Sequence, residues 1–290
     1  MRFSIILVDG FGNNLFQLSF LYQYARRHGI DHLLSVRIWN DQVFGAPAFG
    51  GHPRKKALTF GQIFPNLPYD DEKSIRDRDV CVSYVKHDSG YHDWNLELLM
   101  RKIDMETNIF VFSGWFFHYK YHQYERQEFI EWMRFSEFII DRAPKLPYED
   151  TISAHIRLGS PADSGDVILF DKMSIVKACE TLKMEYPNLT HVMICSENRD
   201  KLEKYLEPSV WEKIGLTYVF LDDDVEVCLY AATKCAHHCL TNSTLSYMMA
   251  YMDAKFPEKS VAYYDNFNYL IEPVMDPELM KGFRKYPTTS

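Results

Sequence analysis

The sequence predicts an α/β protein built from two successive sheet-and-helix halves, and three observations carry that prediction. Short β-branched apolar runs alternate with amphipathic stretches of helical period along much of the chain. Several of these runs end at glycine or at Asn/Ser/Thr turns that open a helix, the punctuation of strand-turn-helix units in parallel sheets. Midway, Asp141 to Asp150 contains Pro144 and Pro147 and reads as a linker. The 290 residues therefore divide into 1–147 and 148–290, each of ordinary domain size. A cleft between such halves is the expected place for a ligand.

Composition narrows the function classes. A hydrophobic share of 47% with 25% charged residues belongs to a folded chain rather than a disordered one. The 15% aromatic content suits stacking on sugar rings, and suits a bulky core still better. A net charge of −8 argues against nucleic acid or an anionic membrane surface as partner, so a phosphate-bearing ligand must be held by a few placed donors. No run approaches the roughly 18 apolar residues of a membrane span. Ser4 to Val8 is too short for an export-signal core and is followed at once by Asp9. Most of the cysteines (Cys81, Cys179, Cys195, Cys228, Cys235 and Cys239) lie inside apolar runs, which fits free thiols in a reducing compartment. A cytoplasmic location is expected.

In the first half, Arg2 to Val8 reads as a strand, Asp9-Gly10-Phe11-Gly12-Asn13-Asn14 as a glycine turn, and Leu15 to His28 as a helix closed by Gly29. That places Asn13 and Asn14 at a helix N-terminus, where polar or anionic ligand groups are received. A tight turn serving only the backbone accounts for the same residues. Ile38 to Pro68 is an irregular stretch with a short helix near Leu58 to Ile63. Val80 to Val85 and Ile109 to Ser113 read as strands and Asn95 to Met100 as a short helix. Trp115 to Tyr124 opens a helix that runs to about Phe138.

The second half starts with Thr151 to Ser160, T-I-S-A-H-I-R-L-G-S. Ile152, Ala154 and Ile156 alternate along a buried strand that breaks at Gly159-Ser160-Pro161 and delivers His155 and Arg157 to its end. Parallel sheets bind ligands at that carboxyl edge, so Arg157 is either a phosphate clamp or the partner of a surface carboxylate. A helix within Val167 to Tyr186 follows, then a strand from His191 to Ser196 and a helix from Arg199 to Leu206. Leu216 to Leu221 is a strand, Val225 to Lys234 a helix and His237 to Thr241 a strand. Asn242-Ser243-Thr244 opens a last helix to about Met252, where hydroxyls beside free N–H groups make either a pyrophosphate seat or a plain helix cap.

Two constellations bear on metals. Cys235, His237, His238 and Cys239 crowd together, but neighbours on a strand alternate faces and cannot surround one ion. Asp77-Arg78-Asp79 and Asp222-Asp223-Asp224 match the D-x-D pattern with which metal-dependent glycosyltransferases hold a nucleotide's cation. Acidic trios after strands are also ordinary helix starts.

Four segments, in order, resemble the α-1,2-fucosyltransferase family and, more distantly, the wider group of GDP-fucose enzymes that includes the protein O-fucosyltransferases. Asp9 to Gln17 is similar to the family's G-G-L-G-N-Q-L-F-Q, and Ser113 to Tyr121 to its G-Y-W-Q-S-x-K-Y-F segment. His155 to Ser160 resembles H-V-R-R-G-D, in the H-x-R-x-G-S form of protein O-fucosyltransferases. Cys235 to Tyr247 resembles C-x-H-x-I-x-x-N-S-T-F-S-W. The departures are Asp9 and Asn14 in the first segment, Leu158 and Ser160 in the third, and Cys228 where the family has an acid; the nearest acids are then Glu226 and Asp222 to Asp224.

The resemblance implies a glycosyltransferase B fold, two Rossmann-like domains facing a central cleft, the first on the acceptor side and the second holding the nucleotide sugar. It implies inverting transfer of L-fucose from GDP-L-fucose to a hydroxyl of a glycan acceptor, with an α-1,2 linkage and no metal. Arg157 would hold the β-phosphate, and Asn242, Ser243 and Thr244 would share its charge. His155 would lie near the ribose or base, Asn13 with Gly10 and Gly12 would face the sugar and phosphates, and Ser196 and Glu226 complete the expected nucleotide contacts. The catalytic base stays open among Asp163, Asp166, Glu197 and Asp9, with Asp163 and Asp166 placed in the catalytic set beside Arg157 and Asn13. Trp115, His118 and Tyr119 fall on the acceptor side. Two other classes remain: a metal-dependent transferase using Asp222 to Asp224 with a different nucleotide sugar, and a non-catalytic carbohydrate- or nucleotide-binding relative.

Overall fold

The computed structural model describes residues 2–7, 10–29, 33–38, 60–67, 81–86, 107–113, 116, 121–122, 125–158, 172–241, 243–264 and 278–286. These fall into two compact units, the first reaching to Ser136 and the second beginning at Glu137.

In the first unit, β1 (Arg2–Leu7), β2 (Leu33–Ile38), β3 (Cys81–Lys86) and β4 (Thr107–Ser113) form a four-stranded parallel sheet in the order β2-β1-β4-β3. Helix α1 (Phe11–Arg27) follows β1 and is buried along most of its length, with Leu15, Phe16, Leu18, Phe20 and Leu21 at its core. Its start corrects the expected turn: Gly10 is the N-cap, so Gly12, Asn13 and Asn14 are already helical. Glycine disfavours a helix interior, but Phe11 stacks on Phe60 and Phe64 at 5.8 and 6.4 Å, and that burial outweighs local propensity. Gly29 closes the helix at φ +64°, as expected of a C-terminal glycine. Phe60 opens a short helix, α2 (Phe60–Ile63), and Phe64 follows it.

The expected continuous helix to Phe138 is instead two. Glu125 has φ 54°, a left-handed conformation that no α-helix runs through, and α3 (Arg126–Trp132) starts only after it. Helix α4 (Glu137–Arg142) opens the second unit, so the stretch expected to be linker includes part of a helix and a 3₁₀ turn at Tyr148–Asp150.

The second unit carries β5 (Thr151–Ile156), α5 (Lys172–Glu185), β6 (His191–Ser196), α6 (Arg199–Tyr205), α7 (Ser209–Lys213), β7 (Thr217–Phe220), α8 (Val225–Lys234), β8 (His237–Leu240), α9 (Thr244–Tyr251), β9 (Ala262–Tyr264) and β10 (Phe283–Lys285). Its six strands are parallel, in the order β10-β9-β8-β5-β6-β7. All residues of β5 and β8 are buried, as in sheets covered on both faces. Trp211 from α7 and Ile175, Cys179 and Leu182 from α5 join Ile152, Ala154 and Ile156 in one core cluster.

Among the described residues, no helix is long and apolar enough to cross a membrane. Cys179, Cys195, Cys228, Cys235 and Cys239 are free and buried. Burial pushes the thiols of Cys179 and Cys235 well above their usual range, so both behave as small apolar side chains.

Candidate functional site

Strand order fixes where a ligand is received. In the second unit, β6 and β7 extend from β5 on one side while β8, β9 and β10 extend on the other. The order reverses between β5 and β8, and in open parallel sheets the crevice at the carboxyl ends of such a pair takes the ligand. The first sheet reverses between β1 and β4. The four segments singled out in the sequence leave from these strands: Asp9 to Gln17 after β1, Ser113 to Tyr121 after β4, His155 to Ser160 at the end of β5, and Cys235 to Tyr247 through β8 into α9. Within each unit, residues far apart in sequence are thus brought to one sheet edge.

At the β5–β8 edge, His155 pairs in register with Leu240 and is 3% exposed. Its Nδ1 shares a 2.5 Å hydrogen bond with Ser246 Oγ from α9, which sets the plane of the imidazole. Arg157 follows, half-buried, just past the strand. Thr241 lies beside it: its hydroxyl donates to His155 O at 3.0 Å and accepts from Arg157 N at 3.1 Å. Ser243 is the N-cap of α9 in an extended conformation, and its side chain makes no capping hydrogen bond. The hydroxyl of Ser243 and that of the half-buried Thr244 thus stand at the positive end of a helix, shortly after the Thr241 that holds the Arg157 amide.

On the other flank of β5, Ser196 ends β6 and donates to Glu197 Oε2 at 3.4 Å. Glu197 Oε1 accepts from Leu158 N at 2.6 Å, and Lys201 Nζ donates to Leu158 O at 3.0 Å. Burial pushes the Glu197 carboxyl up; the amides of Glu197 and Leu158 and the charges of Arg157 and Lys201 pull the other way without cancelling it.

The acidic trio is arranged as a structural ion pair. Arg142 Nη2 from α4 bonds both Asp223 and Asp224, the latter at 2.5 Å, while Asp223 Oδ1 also accepts from Asp224 N at 2.7 Å. Asp222 is exposed. The Cys/His crowd divides as strand geometry requires: His237 packs against Tyr186, with ring centroids 4.1 Å apart and the planes tilted by 36°, and accepts from Val261 N. His238 joins Ser153 Oγ at 2.7 Å and Asp253 Oδ2 at 3.0 Å in a buried network that also takes in Ser260. Among the described residues, no three His, Cys, Asp or Glu side chains are grouped to hold a metal ion.

The remaining expected site residues are dispersed. Gly10 is exposed at the cap of α1 and Asn13 half-buried in its first turn, while Gly12 is buried and Asn14 points inward to Gln17. Glu226 is fully buried in the first turn of α8, and Cys228 in the same helix lies with its thiol against the carbonyls of Leu221 and Asp223. Asp9, Asp77 to Asp79, Trp115, His118, Tyr119, Asp163, Asp166 and Asn242 lie outside the described residues. Thr241, Ser246 and Lys201 escaped the sequence reasoning. The first two are hydroxyls within an otherwise noted segment, and only the pairing of β5 with β8 reveals what they hold.

No family model matches the sequence, and neither does any curated protein. Solved structures do. The chain is similar to POFUT1 in complex with GDP-fucose at 12% identity and a TM-score of 0.58, over 90% of this chain and 97% of that one. POFUT1 in complex with GDP gives 11% and 0.54 over the same shares. A mutant of Arabidopsis thaliana FUT1 in complex with GDP gives 10% and 0.50, over 91% of this chain and 69% of that one. At these identities the shared property is the fold, an α/β architecture of the glycosyltransferase B type.

Proposed function

We propose that the chain is an inverting fucosyltransferase that moves L-fucose from GDP-L-fucose to a hydroxyl of a glycan acceptor without a metal ion, in an α-1,2 linkage. The observation that carries the proposal is that Arg157 leaves β5 at the edge where the second sheet reverses, its amide held by Thr241, two residues ahead of the Ser243 cap of α9. The ligands with which structures of the same fold were solved support it, namely GDP-fucose for POFUT1 and GDP for POFUT1 and plant FUT1.

As the fucosyl bond breaks, negative charge collects on the departing diphosphate, and donors fixed in advance at that oxygen lower the barrier. Arg157 offers a planar fork to two phosphate oxygens, and the N–H groups at the start of α9 with the Ser243 and Thr244 hydroxyls add partial positive charge. His155, held in plane by Ser246, is assigned to the ribose or base. Asn13 contributes from the first unit, and Asp163 and Asp166 are retained as bases for the acceptor hydroxyl. Glu197 is less suited to that step because its carboxylate already holds the Leu158 amide. The metal-dependent alternative is weakened because Arg142 occupies Asp223 and Asp224, two of its three ligands.

The experiment is transfer from GDP-L-fucose to a panel of glycan acceptors in EDTA and in Mn²⁺, with the product anomer read by NMR. Equal turnover in both and an inverted anomer are expected. Activity confined to Mn²⁺ would return the chemistry to the acidic trio.

A further inference from the structure

In a parallel ladder, each strand amide donates to a main-chain carbonyl of its neighbour. Beyond β5 that pattern changes on both sides. Strand β8 ends at Leu240 and the chain turns into α9, and the Arg157 amide bonds the Thr241 hydroxyl, at 3.1 Å, instead of a carbonyl. The same hydroxyl donates to His155 O, which also accepts from Thr241 N at 3.2 Å. Strand β6 ends at Ser196 and the chain turns into α6, and the Leu158 amide bonds the Glu197 carboxylate at 2.6 Å. Lys201 then takes the Leu158 carbonyl, and its own amide is fixed by the α6 cap Asn198 at 2.8 Å. Side chains thus replace strand carbonyls where both neighbours diverge, and the Arg157–Leu158 segment stays anchored past the end of the sheet.

We infer that Thr241 and Glu197 are positioning residues that fix the main chain beneath Arg157 and so aim its guanidinium at the donor's diphosphate. The inference rests on Arg157 being the phosphate ligand. Thr241 is 3% exposed and Glu197 is occupied by the Leu158 amide, so both act through Arg157. The two flanks do not duplicate each other, because Thr241 holds the peptide that enters Arg157 and Glu197 the peptide that leaves it.

The test is calorimetric titration of GDP into the full chain and its variants. Thr241→Val keeps the shape and removes the hydroxyl, and it should weaken GDP by about tenfold, the scale of one buried hydrogen bond whose partner is left unmet. Thr241→Ser should restore binding. In an Arg157→Ala background, Thr241→Val should cost nothing further, since its effect is transmitted by the arginine; a purely structural defect would add to it. If Thr241→Val does not fold, Glu197 decides: Glu197→Gln keeps an acceptor and should bind GDP better than Glu197→Ala, although both lose the charge. Native GDP affinity in Thr241→Val and equal affinity in the two Glu197 variants, with Arg157→Ala impaired, would overturn the inference alone. Native affinity in Arg157→Ala would overturn the phosphate reading beneath it.

Discussion

Two side chains at opposite ends of the β5–β8 pair show how differently charge is used on one sheet. Arg157 is past the strand, and its side chain takes no part in the apolar core. Arg157→Ala should leave the melting curve unchanged and lower kcat as well as donor affinity, because a contact to the leaving diphosphate strengthens as charge develops. The expected loss is on the order of a hundredfold, about 3 kcal/mol, as for one preorganised donor. Arg157→Lys should recover only part of it, since an ammonium keeps the charge and loses the fork. His237 sits on β8 with the opposite constraint. Burial, with the positive charges of His238, Lys255 and Arg284, pushes its pKa down from 6.5 to about 4. The unfolded chain therefore takes up the proton first, and stability is full above about 6.5 and falls as pH drops toward 4. His237→Asn retains an acceptor for the Val261 amide and removes the titration, so denaturant midpoints measured across that window should lose part of their slope. An unchanged slope would mean that His237 titrates alike in both states.

At the scale of the element, the start of α9 separates binding from folding. A capping serine usually stabilises its helix by about 1 kcal/mol through a side-chain bond to the first turn, and Ser243 makes none. Ser243→Ala should therefore shift Tm by little and raise the donor KM; a large fall in Tm with unchanged KM would make Ser243 a plain cap. The neighbouring elements also show what the sequence makes legible. His191–Ser196 and Val225–Lys234 were recognisable to the residue, because apolar runs of one period end there at clear turn signals. Strand β2 was not, since Arg37 and Ser35 dilute a six-residue run that only its pairing with β1 defines. The three-residue β9 and β10 are decided by the strand beside them and carry no period of their own. For the site, Arg157 and Ser243 could be picked out because their residue types suit phosphate at a strand exit. Thr241, Ser246 and Lys201 could not, because their roles are contacts between segments 43 to 91 residues apart.

For the whole molecule, the proposed function gives the donor nucleotide to the second unit and the acceptor to the first. Each unit gathers its two sequence segments at the reversal point of its own sheet. How the base is selected is the more demanding question. Cys228 stands where an acid is expected and is buried, and Glu226, two residues earlier in the same helix, is fully buried as well. The proposed selection for guanine would then fall to His155 and to groups around the strand ends, where a polar contact that the wrong base leaves unmet discriminates by more than shape does. The most direct measurement is calorimetric titration of GDP and of UDP into the native chain and into Arg157→Ala. The account predicts that GDP binds the native chain more tightly than UDP and loses most of its affinity in the variant. UDP binding as tightly as GDP, or an Arg157→Ala chain with native affinity for GDP, would contradict it.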